Sequence, residues 1–392
     1  MSKTKSCPVV LQTGFRIFFL GAAVYAVVSM AFWLLFYVLG KNIFVAMPLT
    51  IWHGHEMVFG FTMAVITGFL LTAVMNWTGI QTLNGAPLLI LFLFWAVARI
   101  LAFMPRSFPL WPMALCDTAF LVFLSVAVMQ PIIAAKQWKQ SAVFSKLILI
   151  LISGIGFYLA LFNANLIVER KALRFAVYMI VSLILTIGRK ILPFFIERGV
   201  GYPVTLRNNM VLDISSLVFL IAFSIIDVFW NLPIVVAVLC ALLVVVHSLR
   251  LAGWYTPGIW KKPLLWILFV GYAFLILGFL FKVFTALNHQ PDDPALHAFT
   301  AGGIGVFTLG MMTRVSWGHT GRNISEAPRG LIFIFIPIAA GAFIRVFFPL
   351  FNEPQYVLWI GISQVLWMIA FTLYIAFYLR ILISPRVDGK WG

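Results

Sequence analysis

Charge is scarce in this sequence. Asp, Glu, Lys and Arg make up 10% of the 392 residues, and only 11 of them are acids. Soluble domains carry about a quarter charged residues. With 63% of its residues hydrophobic and a mean hydropathy of +1.06, the chain has more apolar surface than a soluble core could hide. The bilayer therefore has to act as solvent for most of it. Cysteine is also sparse: Cys7 lies in the polar N-terminal tail, while Cys116 and Cys240 fall in apolar runs. That excludes a disulfide framework and a C-x-x-C site. No P-loop, G-x-S-x-G, H-E-x-x-H or dinucleotide-binding G-x-G-x-x-G stands in a suitable context. The formal sequon Asn76-Trp77-Thr78 lies at the end of an apolar run and carries no glycosylation argument. No polar segment is long enough for a soluble domain, so residues 1–392 read as a single integral membrane domain.

What is present is a series of apolar runs. A helix rises about 1.5 Å per residue, so roughly 20 apolar residues cross a 30 Å hydrocarbon core. That ruler predicts an all-α polytopic bundle of about 12 transmembrane helices. They begin near Phe15, His55, Ala86, Pro109, Val143, Ala172, Asn209, Leu232, Pro263, Ala295, Gly330 and Gln355. The first run, from about Phe15 to Leu39, is long enough to span and lacks an obvious signal cleavage site. The connections carry Pro, Gly, Asn or charge, as in Gln290-Pro291-Asp292-Asp293-Pro294.

The basic excess, 27 Lys+Arg against 11 Asp+Glu, sits between apolar runs and forms no patches. It reads as positive-inside topology and not as nucleic-acid binding. With both termini cytoplasmic, Lys3, Lys5, Lys136, Lys139, Lys146, Arg198, Arg207, Lys261, Lys262, Arg322, Arg329, Arg386 and Lys390 fall inside. Lys41 and Arg106 fall outside, with the acids Asp227, Asp292, Asp293 and Glu353. The outward stretch Glu169-Arg170-Lys171-Ala172-Leu173-Arg174 is an exception to this bias.

Ionisable side chains inside a span are expensive and mark functional sites. The six histidines are therefore the most informative residues: His53, His55, His247, His289, His297 and His319. In Trp52-His53-Gly54-His55-Glu56-Met57, two of them open the second span at its outer end. His297 opens the tenth at the same end, and His289 lies in the loop before it. His247 lies about 22 Å down its span, and His319 about 33 Å beyond His297 by helical rise. This gives an outer group and an inner group. Neutral imidazole ligates haem iron, copper and zinc, and a Met57 thioether suits Cu(I). His53, His55 and His297 are candidate ligands of one outer metal, although an i, i+2 pair on a regular helix points about 200° apart. The competing reading is interfacial histidines that cap a helix and bond headgroups.

Inside, His247, Arg250 and Trp254 share a helical face, and Arg314, Trp317, His319 and Arg322 form a comparable set. Arginine beside histidine suits haem propionates, yet snorkelling arginines in an aromatic belt predict the same composition. Arg99, Asp117, Arg189, Lys190, Asp213, Lys282 and Arg345 are further charges within spans. Arg99 and Arg345 could pair with Asp117 or Glu56, or hold an anionic ligand such as a propionate. Small residues in His297-Ala298-Phe299-Thr300-Ala301-Gly302-Gly303 and at Gly54, Gly60 and Gly68 would let the second and tenth spans meet, or a flat macrocycle approach.

These blocks resemble the NnrS family of bacterial haem- and copper-containing membrane proteins. The matching residues are Gly14-Phe15-Arg16 with Phe18-Phe19, and Trp52 through Gly60. Gly68 through Val74 and Asn76-Trp77-Thr78-Gly79 follow, then His247 through Trp254. The last block runs from His297 through Gly303 on to Gly318-His319-Thr320-Gly321-Arg322. Ile17 and Met75 stand where the family pattern has proline. The resemblance implies b-type haem and copper, and a role in nitric oxide metabolism or nitrosative-stress protection in the bacterial inner membrane. It also implies an electron donor, which it does not identify. The alternative from a different class is a transporter of a small anion or metal ion with a histidine-lined path.

Overall fold

In hydrocarbon a chain must satisfy every backbone N–H and C=O internally, and an apolar run does so as a helix. The computed structural model describes residues 7–41, 45–230, 232–289, 293–351 and 353–392. Lys3, Lys5 and Asp292 lie outside the described residues. Among the described residues there is no strand. The long helices are α1 (Gly14–Tyr37), α2 (Leu49–Thr78), α3 (Gly85–Leu101), α4 (Trp111–Ala134), α5 (Trp138–Phe162) and α6 (Leu166–Gly199). They continue as α7 (Met210–Trp230), α8 (Pro233–Gly253), α9 (Pro263–Asn288), α10 (Asp293–Gly318), α11 (Arg329–Phe351) and α12 (Tyr356–Ile383). All but α3 are long and apolar enough to cross a membrane. At 17 residues, α3 is about 25 Å long.

A contact across the chain shows that α3 must be counted. Arg16, at the start of α1, donates from Nη1 to the Leu382 and Ser384 carbonyls at the end of α12 (2.8 and 2.9 Å), and from Nη2 to Gly392 O (3.0 Å). The first span therefore begins on the face where the last one ends, which requires an even number of crossings. Arg16 also does what a cation does best at a helix C-terminus, bonding its orphan carbonyls.

The outer surface carries large apolar side chains that only lipid could solvate: Ile100, Leu115, Ile234 and Met210 are 61, 61, 71 and 76% exposed. Two helices are enclosed by protein instead. In its most apolar stretch α2 is 89% buried and α10 is 78% buried, against 28% for α7. These are the helices that carry His53, His55 and His297.

The chain divides into two compact units. One takes the chain up to Leu173, with Met312–Ile324 and Phe371–Gly392; the other takes Arg174–Met311 and Ser325–Ala370. Within the first, α1 packs on α2, α3 on α4, and α4 on both α2 and α5. Within the second, α9 packs on α8 and α10, α7 on α8, and α11 on α10.

Three expectations change. The second span begins at Leu49, not near His55, so His55 lies within the helix, about 9 Å from its start. The charged stretch from Glu169 to Arg174 is the opening of α6, a helix of 34 residues. At about 50 Å that helix outruns the hydrocarbon core. The glycines serve nearer neighbours than expected: Gly68 of α2 faces Phe19 of α1, and Gly302 and Gly303 of α10 face Phe274 and Leu275 of α9.

Candidate functional site

α2 changes register where its most polar residues lie. It is α-helical from Leu49 to His55, π-helical from Glu56 to Thr62, and α-helical again from Met63. The Thr62 hydroxyl bonds the carbonyl five residues back, on Met57 (2.7 Å). Single π turns of this kind concentrate at functional sites. Here the widened turn presents Glu56 to two neighbouring helices. Its Oε2 accepts from the Tyr25 hydroxyl of α1 and from Arg99 Nη1 of α3 (2.5 Å). Arg99 Nη2 is bound in turn to Asp117 Oδ1 of α4, and the Tyr158 hydroxyl of α5 donates to Asp117 Oδ2 (2.6 Å). Gly60 makes the convergence possible. A Cβ there would lie 2.6 Å from Tyr25 Cε1, 3.0 Å from Arg99 Nη1 and 3.1 Å from Glu56 Oε2. The Gly60 carbonyl accepts from Trp95 Nε1 (2.9 Å).

His55 is held inside this cluster, with its ring between Phe59 and Phe157 (centroids 5.0 and 4.7 Å). Its Nδ1 lies 2.7 Å from Glu56 Oε1, and its Nε2 lies 3.7 Å from Asp117 Oδ2. An ionised carboxylate only accepts, so a neutral His55 carries its proton on Nδ1 and leaves the Nε2 lone pair available. That Nε2 atom is buried and has no hydrogen-bond partner among the described residues. Glu56 and Asp117 place two negative charges against the one positive charge of Arg99.

The inner histidine of the second unit is differently placed. His247 Nδ1 is bonded to the Tyr272 hydroxyl (2.6 Å) and Nε2 to Ser216 Oγ (3.2 Å), so both ring nitrogens are engaged. Arg250 Nη2 donates to Asp213 Oδ1 and to the Leu212 carbonyl (both 2.8 Å). Arg189 Nη1 takes the other Asp213 oxygen (2.7 Å). Elsewhere in the same unit, Asp227 pairs with Lys282 (2.7 Å) and accepts from the Tyr178 hydroxyl (2.6 Å); Arg174 stands at 3.7 Å.

His319 belongs to the first unit, just beyond the end of α10. Its ring packs on Phe15 at 5.9 Å, and its carbonyl accepts from Arg386 Nη1 (3.0 Å). Burial, aided by the Arg386 charge, pushes its pKa down from 6.5 to about 4. Arg386 binds both oxygens of Asp388 (2.9 and 2.6 Å) and holds that carboxyl well below the usual carboxylate range. Arg322 donates to Thr320 Oγ1 (2.8 Å) and lies over the Trp317 ring.

The remaining candidates fall in both units. His53 stacks on Trp33 of α1 (4.5 Å, 8°), so the rings of His53 and His55 take different neighbours. His297 Nδ1 bonds the Asp293 carbonyl (2.8 Å) in the second unit, and His289 caps the end of α9 in the left-handed region. Met57 follows Glu56 on the π turn. Arg314 is buried in the first unit and Arg345 is partly buried in the second. Among the described residues no three His, Cys, Asp or Glu side chains form a ready metal cage. Arg99, a candidate anion holder by sequence, has both terminal nitrogens committed to carboxylates. Tyr25 and Tyr158 had no signal in the sequence, because an aromatic in an apolar run looks like packing until its hydroxyl finds a carboxylate.

No curated protein matches the chain. A family model described as "NnrS protein" matches residues 9–386. This covers nearly the whole chain, including the π turn of α2 and every helix that contributes to its cluster, and on that match the chain belongs to the NnrS family.

Proposed function

We propose that this multi-pass membrane protein binds haem and copper and acts in nitric oxide metabolism or protection against nitrosative stress in the bacterial inner membrane. The observation that carries the metal reading is His55: a buried imidazole with one nitrogen fixed by Glu56 and the other without a hydrogen-bond partner. A carboxylate behind a histidine is the arrangement that orients a metal ligand and raises its basicity. The donor chemistry fits copper, which accepts imidazole. Haem iron would need an axial donor of the same kind. His247 could serve only by giving up its bond to Tyr272 or to Ser216, and His319 is the inner histidine whose ring faces Phe15.

A bound redox metal would supply an electron-exchanging centre with affinity for nitric oxide. The chain's own part is to hold His55 in one tautomer, to keep its carboxylates paired with Arg99, and to enclose the site in aromatic side chains. The transporter reading needs buried cations open to a passing anion. Two of those cations are instead ion-paired: Lys282 with Asp227, and Arg99 with Glu56 and Asp117. Nitric oxide titration of the reduced, purified protein, followed optically and by electron paramagnetic resonance, tests the proposal. A shifted Soret band or a new nitrosyl signal is expected. Silence of both metals, with anion or metal uptake by reconstituted vesicles, would overturn it.

A further inference from the structure

The contact between His55 and Asp117 does not fit a hydrogen bond. With the imidazole proton on Nδ1, facing Glu56, the Nε2 lone pair and the Asp117 Oδ2 lone pairs confront each other at 3.7 Å in a buried place. Two acceptors facing each other in low dielectric repel, and a hydrogen bond does not reach 3.7 Å even from a protonated ring. A metal ion resolves both difficulties. Imidazole nitrogen and carboxylate oxygen bind such ions at about 2.0–2.2 Å, which sets two ligands of one ion roughly 3.4–3.6 Å apart at tetrahedral to trigonal angles. The observed gap is within a few tenths of an ångström of that span.

Charge points the same way. Glu56 and Asp117 outnumber Arg99 by one, so the buried cluster has room for one further positive charge, a bound cation or a proton on His55. A buried net charge is costly unless compensated.

We propose that His55 Nε2 and Asp117 Oδ2 are two ligands of one metal-ion site within the first unit. Glu56, Arg99 and Tyr158 act as positioning residues: Glu56 sets the His55 tautomer, and Arg99 and Tyr158 fix the Asp117 carboxylate. The inference rests on the metal-binding reading above and adds a ligand and an orienting shell to it. One imidazole and one carboxylate favour a divalent borderline ion, such as Cu(II) or Zn(II), over the softer Cu(I). Two protein donors also leave coordination positions open for a small molecule or water.

The test uses the full chain, stripped of metal and held in lipid nanodiscs, with Cu2+ as the probe. One equivalent should bind with superhyperfine coupling to a single imidazole nitrogen. His55→Ala should abolish that coupling, and Asp117→Asn should lower affinity at least about tenfold, as should Glu56→Gln. A second measurement needs no variant: nitrogen-15 imidazole NMR of the wild-type chain during Zn2+ titration. One histidine should show a protonated Nδ1 and a bare Nε2, with the Nε2 resonance displaced on saturation. Unchanged Cu2+ affinity in folded His55→Ala and Asp117→Asn chains overturns the proposal. So does a His55 Nε2 that Zn2+ leaves unmoved. If Cu2+ binds as described but reduced protein ignores nitric oxide, this site stands and the nitric oxide reading fails.

Discussion

Replacing Arg99 with methionine is the sharpest perturbation of the buried cluster. The side chain is 4% exposed and its two Nη atoms hold Glu56 and Asp117. Removing one partner of a buried ion pair costs about 3–5 kcal/mol, because the charge left behind has neither water nor counter-ion. An independent bound comes from protonation. Neutralising one carboxyl at pH 7, about three units above its ordinary pKa, costs about 4 kcal/mol at 1.36 kcal/mol per unit. The two estimates agree, so Arg99→Met should lose about 3–5 kcal/mol, a factor of roughly a thousand in the folding equilibrium. The assay is reversible unfolding in mixed micelles at rising SDS fraction. The triple variant Glu56→Gln/Arg99→Met/Asp117→Asn removes the stranded charges and should recover at least half of the loss. An Arg99→Met chain within about 0.5 kcal/mol of wild type, where ordinary surface substitutions fall, would refute the argument. A triple variant no better than the single one would refute it equally.

Gly60→Ala places a methyl 2.6 Å from Tyr25 Cε1. It should cost about 1–3 kcal/mol in the same assay, the usual penalty of overpacking; wild-type stability would show that the α1–α2 approach is looser than described. For metal-free protein, His319 contributes a pH dependence of known sign. Its folded pKa of about 4 lies below the ordinary 6.5, so the unfolded chain binds more protons between those values. Stability from this group is present in full above about 6.5 and is lost as pH falls toward 4. His319→Gln should flatten that part of the unfolding curve, and an unchanged pH profile would count against burial of the ring.

Hydropathy and spacing were enough for the all-α polytopic bundle, the positions of its helices, and the interest of the Trp52–Gly60 block. Those features follow from local composition: lipid demands about twenty apolar residues per crossing, whichever helices they later touch. Boundaries failed where polarity misled. The second span reads as opening near His55, yet α2 is helical from Leu49, because protein and not lipid surrounds it. The Glu169–Arg174 run looks like a loop for the opposite reason, since α6 simply continues past the core. Only the tertiary structure decided which charge meets which. Glu56 is joined to Arg99 across 43 positions and to Tyr25 across 31, and Asp117 to Tyr158 across 41. Those pairings depend on the rotation and depth of four neighbouring helices, on the π turn that re-aims Glu56, and on the missing Cβ of Gly60. A hydrogen bond succeeds or fails within a few tenths of an ångström, whereas the hydrophobic pattern that specifies a span leaves both rotation and depth undetermined.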